Sequence, residues 1–190
     1  MFELDLEQLT PEQRGMVELW EAHLDAEFEN KDAVASCGTM TEVPYVNHVP
    51  TLTGGLGREQ LLHFYGNYFI PHMPSDMEME MISRTVGQNR IVDEFVSRFT
   101  HTVQMDWLLP GVPATGRRIE IVLVVIVTFE EGKMSSEHIH WDQASVLVQA
   151  GLIDPEHLPV SGAEAARKML DRNSVPSNLL IKRTISDDRL

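Results

Sequence analysis

Six consecutive residues, Glu137-His138-Ile139-His140-Trp141-Asp142, put two imidazoles and one carboxylate at every second position. On a β-strand successive side chains point to opposite faces, so His138, His140 and Asp142 would share one of them. Imidazole and carboxylate side by side can move protons near neutral pH, or can hold a divalent metal. On a buried strand such groups are costly unless a ligand uses them or a hydrogen-bond network satisfies them. His101, on one strand face with Phe95 and Phe99, and His48, between Pro44 and Pro50, are the other imidazoles that could join the row.

The elements that must position this row read as follows. Thr10-Pro11-Glu12-Gln13 is a helix start, with a capping hydroxyl, Pro in the first turn and Gln three residues on. Met16, Leu19, Trp20, Leu24 and Phe28 follow at helical spacing, and His23 falls on or beside that stripe as a satisfied core residue. A short helix is predicted over 32–38, an irregular segment over 43–50, a glycine-rich turn at 54–57 and a helix over 58–69. From Met77 the period changes to two. Strands are predicted over 91–103, 117–130 and 134–143, the last two joined by the Glu131-Gly132-Lys133 turn, with a Pro- and Gly-containing loop over 106–116. Helices first and long strands after them make an α+β fold with an antiparallel sheet. Ser161-Gly162-Ala163-Glu164 starts a further helix with a capping-box pattern, and a polar tail follows from Asn173.

The chain has 190 residues, 43% hydrophobic and 23% charged, which suits one domain over 1–155 and a C-terminal extension over 156–190. Its net charge of −14 disfavours nucleic acid and acidic membranes as partners, and no apolar run reaches the ~20 residues of a membrane span. The acidic start, Met1 to Glu7, lacks the basic and apolar pattern of a secretion signal, so a cytoplasmic protein is expected. Val122, Val124 and Ile126 make the second face of strand 117–130 apolar as well. That predicts helices on one face of the sheet and a partner copy on the other, a homodimer through the sheet. Cys37, the single cysteine, reads as a small buried apolar residue, and no serine sits in a nucleophile elbow.

Thr100-His101, the loop Pro113-Ala114-Thr115-Gly116-Arg117, the hairpin Gly132-Lys133 and the series Glu137, Asp142, Leu147, Gln149, Gly151 together resemble a SnoaL-like polyketide cyclase of the nuclear-transport-factor-2-like (NTF2-like) superfamily. The likeness spans roughly 12–152. It implies a cone-shaped α+β barrel in which N-terminal helices pack on a curved antiparallel sheet around an apolar pocket. It also implies that Asp142 is a general acid/base in a reaction needing no cofactor and no metal.

In such a pocket desolvation would raise the Asp142 pKa toward neutrality. Asp142 would then exchange a proton at a carbon beside a carbonyl or phenol, with His140 and His101 relaying it or stabilising the oxyanion. His138, His48, Tyr45, Tyr65, Tyr68, Trp107, Phe99 and Trp141 are the expected wall of a site for a small hydrophobic substrate. The reaction class would be cyclase, lyase, dehydratase or isomerase on an aromatic or polyketide-like carbonyl compound. A non-catalytic binding module, hydrolysis of an ester or lactone by activated water, and a metal centre on His138, His140, Asp142, His101 and His48 are the competing readings.

Overall fold

Helix α1 (Pro11–Leu24) begins at the expected start signal. In the computed structural model, which describes residues 4–181, Thr10 Oγ1 accepts from the Gln13 N–H at 3.2 Å and the Gln13 side chain accepts from the Thr10 N–H at 2.9 Å. Met16, Val17, Trp20 and His23 form its buried side. The helix runs on into a π-helical turn, Asp25–Glu29, with the Asn30 N–H donating to the Asp25 carbonyl at 2.8 Å. Such wide turns are rare and concentrate at functional sites. Helix α2 (Ala33–Gly38) is capped by Asp32, and α3 (Arg58–Phe64) continues into a second π-helical turn, Tyr65–Phe69.

Among the described residues six strands form one curved, unclosed sheet in the order β2-β1-β6-β5-β4-β3. They are β1 (Met40–His48), β2 (Thr53–Leu56), β3 (Glu78–Val86), β4 (Arg90–Thr100), β5 (Arg118–Glu130) and β6 (Lys133–His140). The fold class is the expected α+β, with two corrections. The segment expected to be irregular is strand β1, masked by Pro44, around which its register with β6 shifts. Its pairing with β6 is parallel, so the sheet is antiparallel at every joint but that one. The glycine-rich turn is strand β2, and Gly54 there has φ +129°, where a Cβ would stand 2.2 Å from the Val46 carbonyl oxygen.

The β5–β6 hairpin decides which residues face inward. Glu131 (φ 50°) and Gly132 (φ 74°) give the two left-handed residues of a type I′ turn, setting Glu130 opposite Lys133 and Phe129 opposite Met134. Continued evenly, that register would place His138 opposite Val125, on the inward row. A bulge intervenes: Ser136, not Ser135, faces Thr128, and Ser135 Oγ donates to the Thr128 carbonyl at 3.2 Å. One extra residue flips every following side chain. His138 therefore opposes Ile126 and His140 opposes Val124 on the outer face, while Glu137 and Ile139 join the inward row with Val127 and Val125.

The core lies between that inward row and α1–α3. A buried ion pair between neighbouring strands also anchors α1: Arg84 on β3 donates through Nε and Nη2 to Asp93 on β4 at 2.8 Å each, and Trp20 Nε1 of α1 donates to Asp93 Oδ2 at 2.7 Å. Helix α4 (Gln143–Ala150) fills the place that β6 vacates, its Gln149 side chain bonding both the N–H and the carbonyl of Glu120. Helix α5 (Glu164–Leu170) packs on β4 and β5, beside the outward residues of β5. Its start lacks the expected capping box; the Glu164 carboxylate instead accepts from the Gly162 N–H. The last part of the predicted polar tail, 182–190, lies outside the described residues.

Candidate active site

Because of the Ser135 bulge, the carboxylate that β6 sends into the interior is Glu137. It meets a histidine and a second carboxylate from α1 and its π-helical turn, where His23 and Glu27 stand one turn apart. His23 Nε2 lies 3.0 Å from Glu27 Oε1, 3.8 Å from Glu137 Oε2 and 3.4 Å from the Tyr65 hydroxyl, the latter held at the start of the second π-helical turn. All four residues are buried. Glu27 Oε1 is near enough for an ion pair but has no hydrogen-bond partner among the described residues.

The local bonds settle the proton on His23. Thr39 Oγ1 donates to the Ser36 carbonyl at 2.7 Å, so toward His23 Nδ1, also at 2.7 Å, it can only accept. Nδ1 therefore carries a hydrogen, and Nε2 faces two carboxylates. A bare lone pair there would be repelled by their oxygens; a second proton, making an imidazolium, is attracted. Burial pulls the His23 pKa down, but the charges of Glu27 and Glu137 outweigh it and the net direction is up. Burial, then the charge of Glu27, push Glu137 up to about 8, with His23 opposing. Burial and the same carboxylates hold the Tyr65 hydroxyl well above its ordinary value.

This group opens on a cavity lined by rings and aliphatic chains, among them Trp20, Phe69, Phe95, Trp107, Leu123 and Val125. It encloses about 610 Å³ of non-atom space, solvent at its mouth included. Phe28, Met77 and Met79 line both the cavity and an outer hollow beside Lys31 and Pro74, and so form the mouth. Methionine side chains re-pack easily, which suits a way in for a ligand.

The fold is that of the SnoaL-like, NTF2-like proteins. A candidate SnoaL-like polyketide cyclase from Jannaschia sp. CCS1 is 17% identical with a TM-score of 0.62, over 80% of this chain and 100% of that one. TsrD from Streptomyces laurentii is 18% identical with a TM-score of 0.59, over 80% and 100%. An NTF2-like protein of unknown function from Burkholderia pseudomallei K96243 is 18% identical with a TM-score of 0.55, over 72% and 97%. No protein-family model and no curated protein matches the sequence.

Within this NTF2-like fold the residues singled out from sequence are dispersed. Asp142 does not face the cavity: it is exposed, and as N-cap of α4 its Oδ1 accepts from Ala144 N–H at 2.9 Å and Ser145 N–H at 3.3 Å. His140 lies on the outer face, and so does His138, whose ring meets exposed Tyr45 at 5.4 Å. His101 is buried in the turn after β4, its Nδ1 accepting from the Thr115 N–H at 3.3 Å, and it does not line the cavity. Phe99 is core and Tyr68 is exposed, its ring against His63. Tyr65, His48 and Trp107 do line the cavity, and Trp141 packs edge-on to His48 from outside that lining. The five residues weighed as a metal set therefore do not converge.

The donor atoms that do converge, among the described residues, are those of His23, Glu27 and Glu137, within 4.8 Å of one another. Sequence reasoning placed His23 in the core and passed over Glu27. The available signal was a His and a Glu four apart on an apolar helical stripe. Cys37 is buried and inert, its thiol pushed up to about 11 by burial.

Proposed function

We propose that this chain is an acid/base enzyme of the isomerase, lyase or cyclase kind, working in the cytoplasm on a small hydrophobic carbonyl compound without a cofactor, with Glu137 as the proton carrier. The observation that supports it most is a carboxyl group inside an apolar cavity, facing a second carboxylate and a histidine. A carboxyl whose pKa stands near 8 is populated in both forms around neutral pH, which is what shuttling a proton at a carbon beside a carbonyl requires. As a carboxylate Glu137 takes the proton; as an acid it returns it. The Tyr65 hydroxyl stays protonated and can donate to the oxyanion that develops. His23 and Glu27 set the charge balance beside Glu137 and act as positioning residues.

The test is deuterium incorporation from D₂O into a panel of aryl ketones, followed by NMR. The wild type should accelerate exchange at the carbon beside the carbonyl, and Glu137→Gln should lose about 10²- to 10⁴-fold of that acceleration. Exchange in Glu137→Gln as fast as in the wild type, or none above buffer in the wild type, contradicts the reading. The expected homodimer belongs to the same proposal. Val122, Val124 and Ile126 remain only half-buried on the outer face, which suits a second copy there, and sedimentation equilibrium tests it.

A further inference from the structure

One atom of the buried group is left unexplained by proton transfer: Glu27 Oε1. The residue is 3% exposed, and among the described residues no donor satisfies that oxygen. It stands 3.0 Å from His23 Nε2 and still makes no hydrogen bond to it, so it lies beside the axis of the ring nitrogen and not on it. Glu137 Oε2 approaches the same nitrogen at 3.8 Å. Atoms that share a metal ion stand side by side in this way. Nitrogen and oxygen ligands about 2.0–2.2 Å from one Zn²⁺, at tetrahedral angles, are about 3.3–3.6 Å from each other. The two separations from His23 Nε2, 3.0 and 3.8 Å, bracket that range, and all three donor atoms lie within 4.8 Å of one another. The ring is also set as that of a metal-bound histidine: Nδ1–H donates to Thr39 Oγ1 at 2.7 Å, which fixes the tautomer and leaves the Nε2 lone pair for an ion.

We propose that His23 Nε2, Glu27 Oε1 and Glu137 Oε2 bind a divalent transition-metal ion of the Zn²⁺ class. Two carboxylates and a neutral imidazole carry the charge that such a cation cancels, and one nitrogen with two oxygens suits that class of ion. Ca²⁺, which takes about six to eight oxygens, and Mg²⁺, which gives up its water reluctantly, are poorly served here. The site is held from two sides: His23 and Glu27 come from α1 and its π-helical turn, Glu137 from β6. Glu27 and Glu137 line the cavity and His23 does not, so the remaining coordination position faces the cavity and is open to water. A bound ion occupies the lone pair with which Glu137 would take a proton. A loaded site and the reaction proposed above therefore exclude each other; that consequence, unlike the site, rests on the proton-transfer reading.

The test is titration of the chelator-stripped full chain with Zn²⁺, followed by calorimetry and by the ¹⁵N resonances of its histidines. In the wild type the His23 Nε2 resonance should move to the metal-bound position, a readout that needs no variant to fold. Losing the outer hydrogen-bond partner of a metal-bound histidine costs about 10- to 100-fold in affinity, which is the loss expected of Thr39→Val, and Glu27→Gln, which removes a ligand, should lose at least about 100-fold. His140→Gln, on the outer face, should bind Zn²⁺ as the wild type does. A His23 Nε2 resonance indifferent to Zn²⁺, an affinity unchanged in Glu27→Gln, or an affinity that falls only in His140→Gln each overturns the site. Deuterium exchange by the stripped protein separates the two proposals. Exchange without Zn²⁺ uptake at these atoms defeats the metal site and leaves the proton-transfer reading standing; uptake at these atoms without exchange does the reverse.

Discussion

Replacing Glu137 with Gln keeps the shape of a carboxylic acid and removes its ability to ionise, and the structure sets how stability should then depend on pH. In the folded protein, burial and Glu27 carry the group from 4.5 to about 8. In the unfolded chain the same carboxyl ionises near its ordinary value. Between those two values the unfolded state releases a proton that the folded state retains, so rising pH favours unfolding through that window and has no further effect above it. At about 1.4 kcal/mol per pKa unit, the full gap is on the order of 5 kcal/mol. His23 acts with the same sign: its folded pKa is raised, so the stability it adds is complete below its ordinary value of 6.5 and is lost as pH rises through the folded value. The glutamine variant escapes the Glu137 loss and keeps the Glu27 part of the His23 contribution. Urea denaturation followed by tryptophan fluorescence at pH 5 and pH 8.5 measures it. The variant should gain several kcal/mol on the wild type between those two pH values. A difference between the two proteins that does not change with pH, or that changes in favour of the wild type at pH 8.5, would refute the reasoning.

Two further outcomes follow from the geometry. Asp142→Ala removes the cap of α4 and should cost about 1 kcal/mol in denaturation while leaving deuterium exchange at the wild-type rate; a hundredfold loss of exchange would return Asp142 to the reaction. Asp93→Ala strips Arg84 of its buried partner and Trp20 of its acceptor, and should cost about 3–5 kcal/mol. A cost under about 1 kcal/mol would show that the Asp93 contacts add little to the hold of α1 on the sheet.

The sequence made the architecture legible because its signals there are local. Thr10 and Gln13 announce a helix start, and two left-handed residues, Glu131 and Gly132, announce a hairpin. The motifs behind the family resemblance are of the same sort. Thr115 ties its loop to His101, Gln149 stands in for a missing strand partner of Glu120, and Gly151 leaves room for the Arg117 guanidinium, whose carbon would lie 2.5 Å from a Cβ at that glycine. They are joints of the fold, and they carried the fold correctly. The site was harder because it depends on parity. His138 and His140 do share a face, as alternation requires, but the bulge at Ser135 chooses the outer one, and no residue type in Ser135-Ser136 signals a bulge. Asp142 lies beyond the strand, where an Asp immediately before an apolar helix reads equally well as a cap. His23 and Glu27 were visible as titratable groups on an apolar stripe, yet their meeting with Glu137 is a contact over a hundred residues of chain and has no local sign.

Proton transfer by Glu137 as proposed requires that its carboxyl keep its proton in the folded protein at neutral pH. Carbon-13 NMR of protein labelled at the glutamate side-chain carboxyl measures this directly, with Glu137→Gln identifying the resonance. One carboxyl should titrate near pH 8, far from the rest, and should be missing from the variant. A Glu137 resonance already fully shifted to the carboxylate position at pH 6 would contradict it.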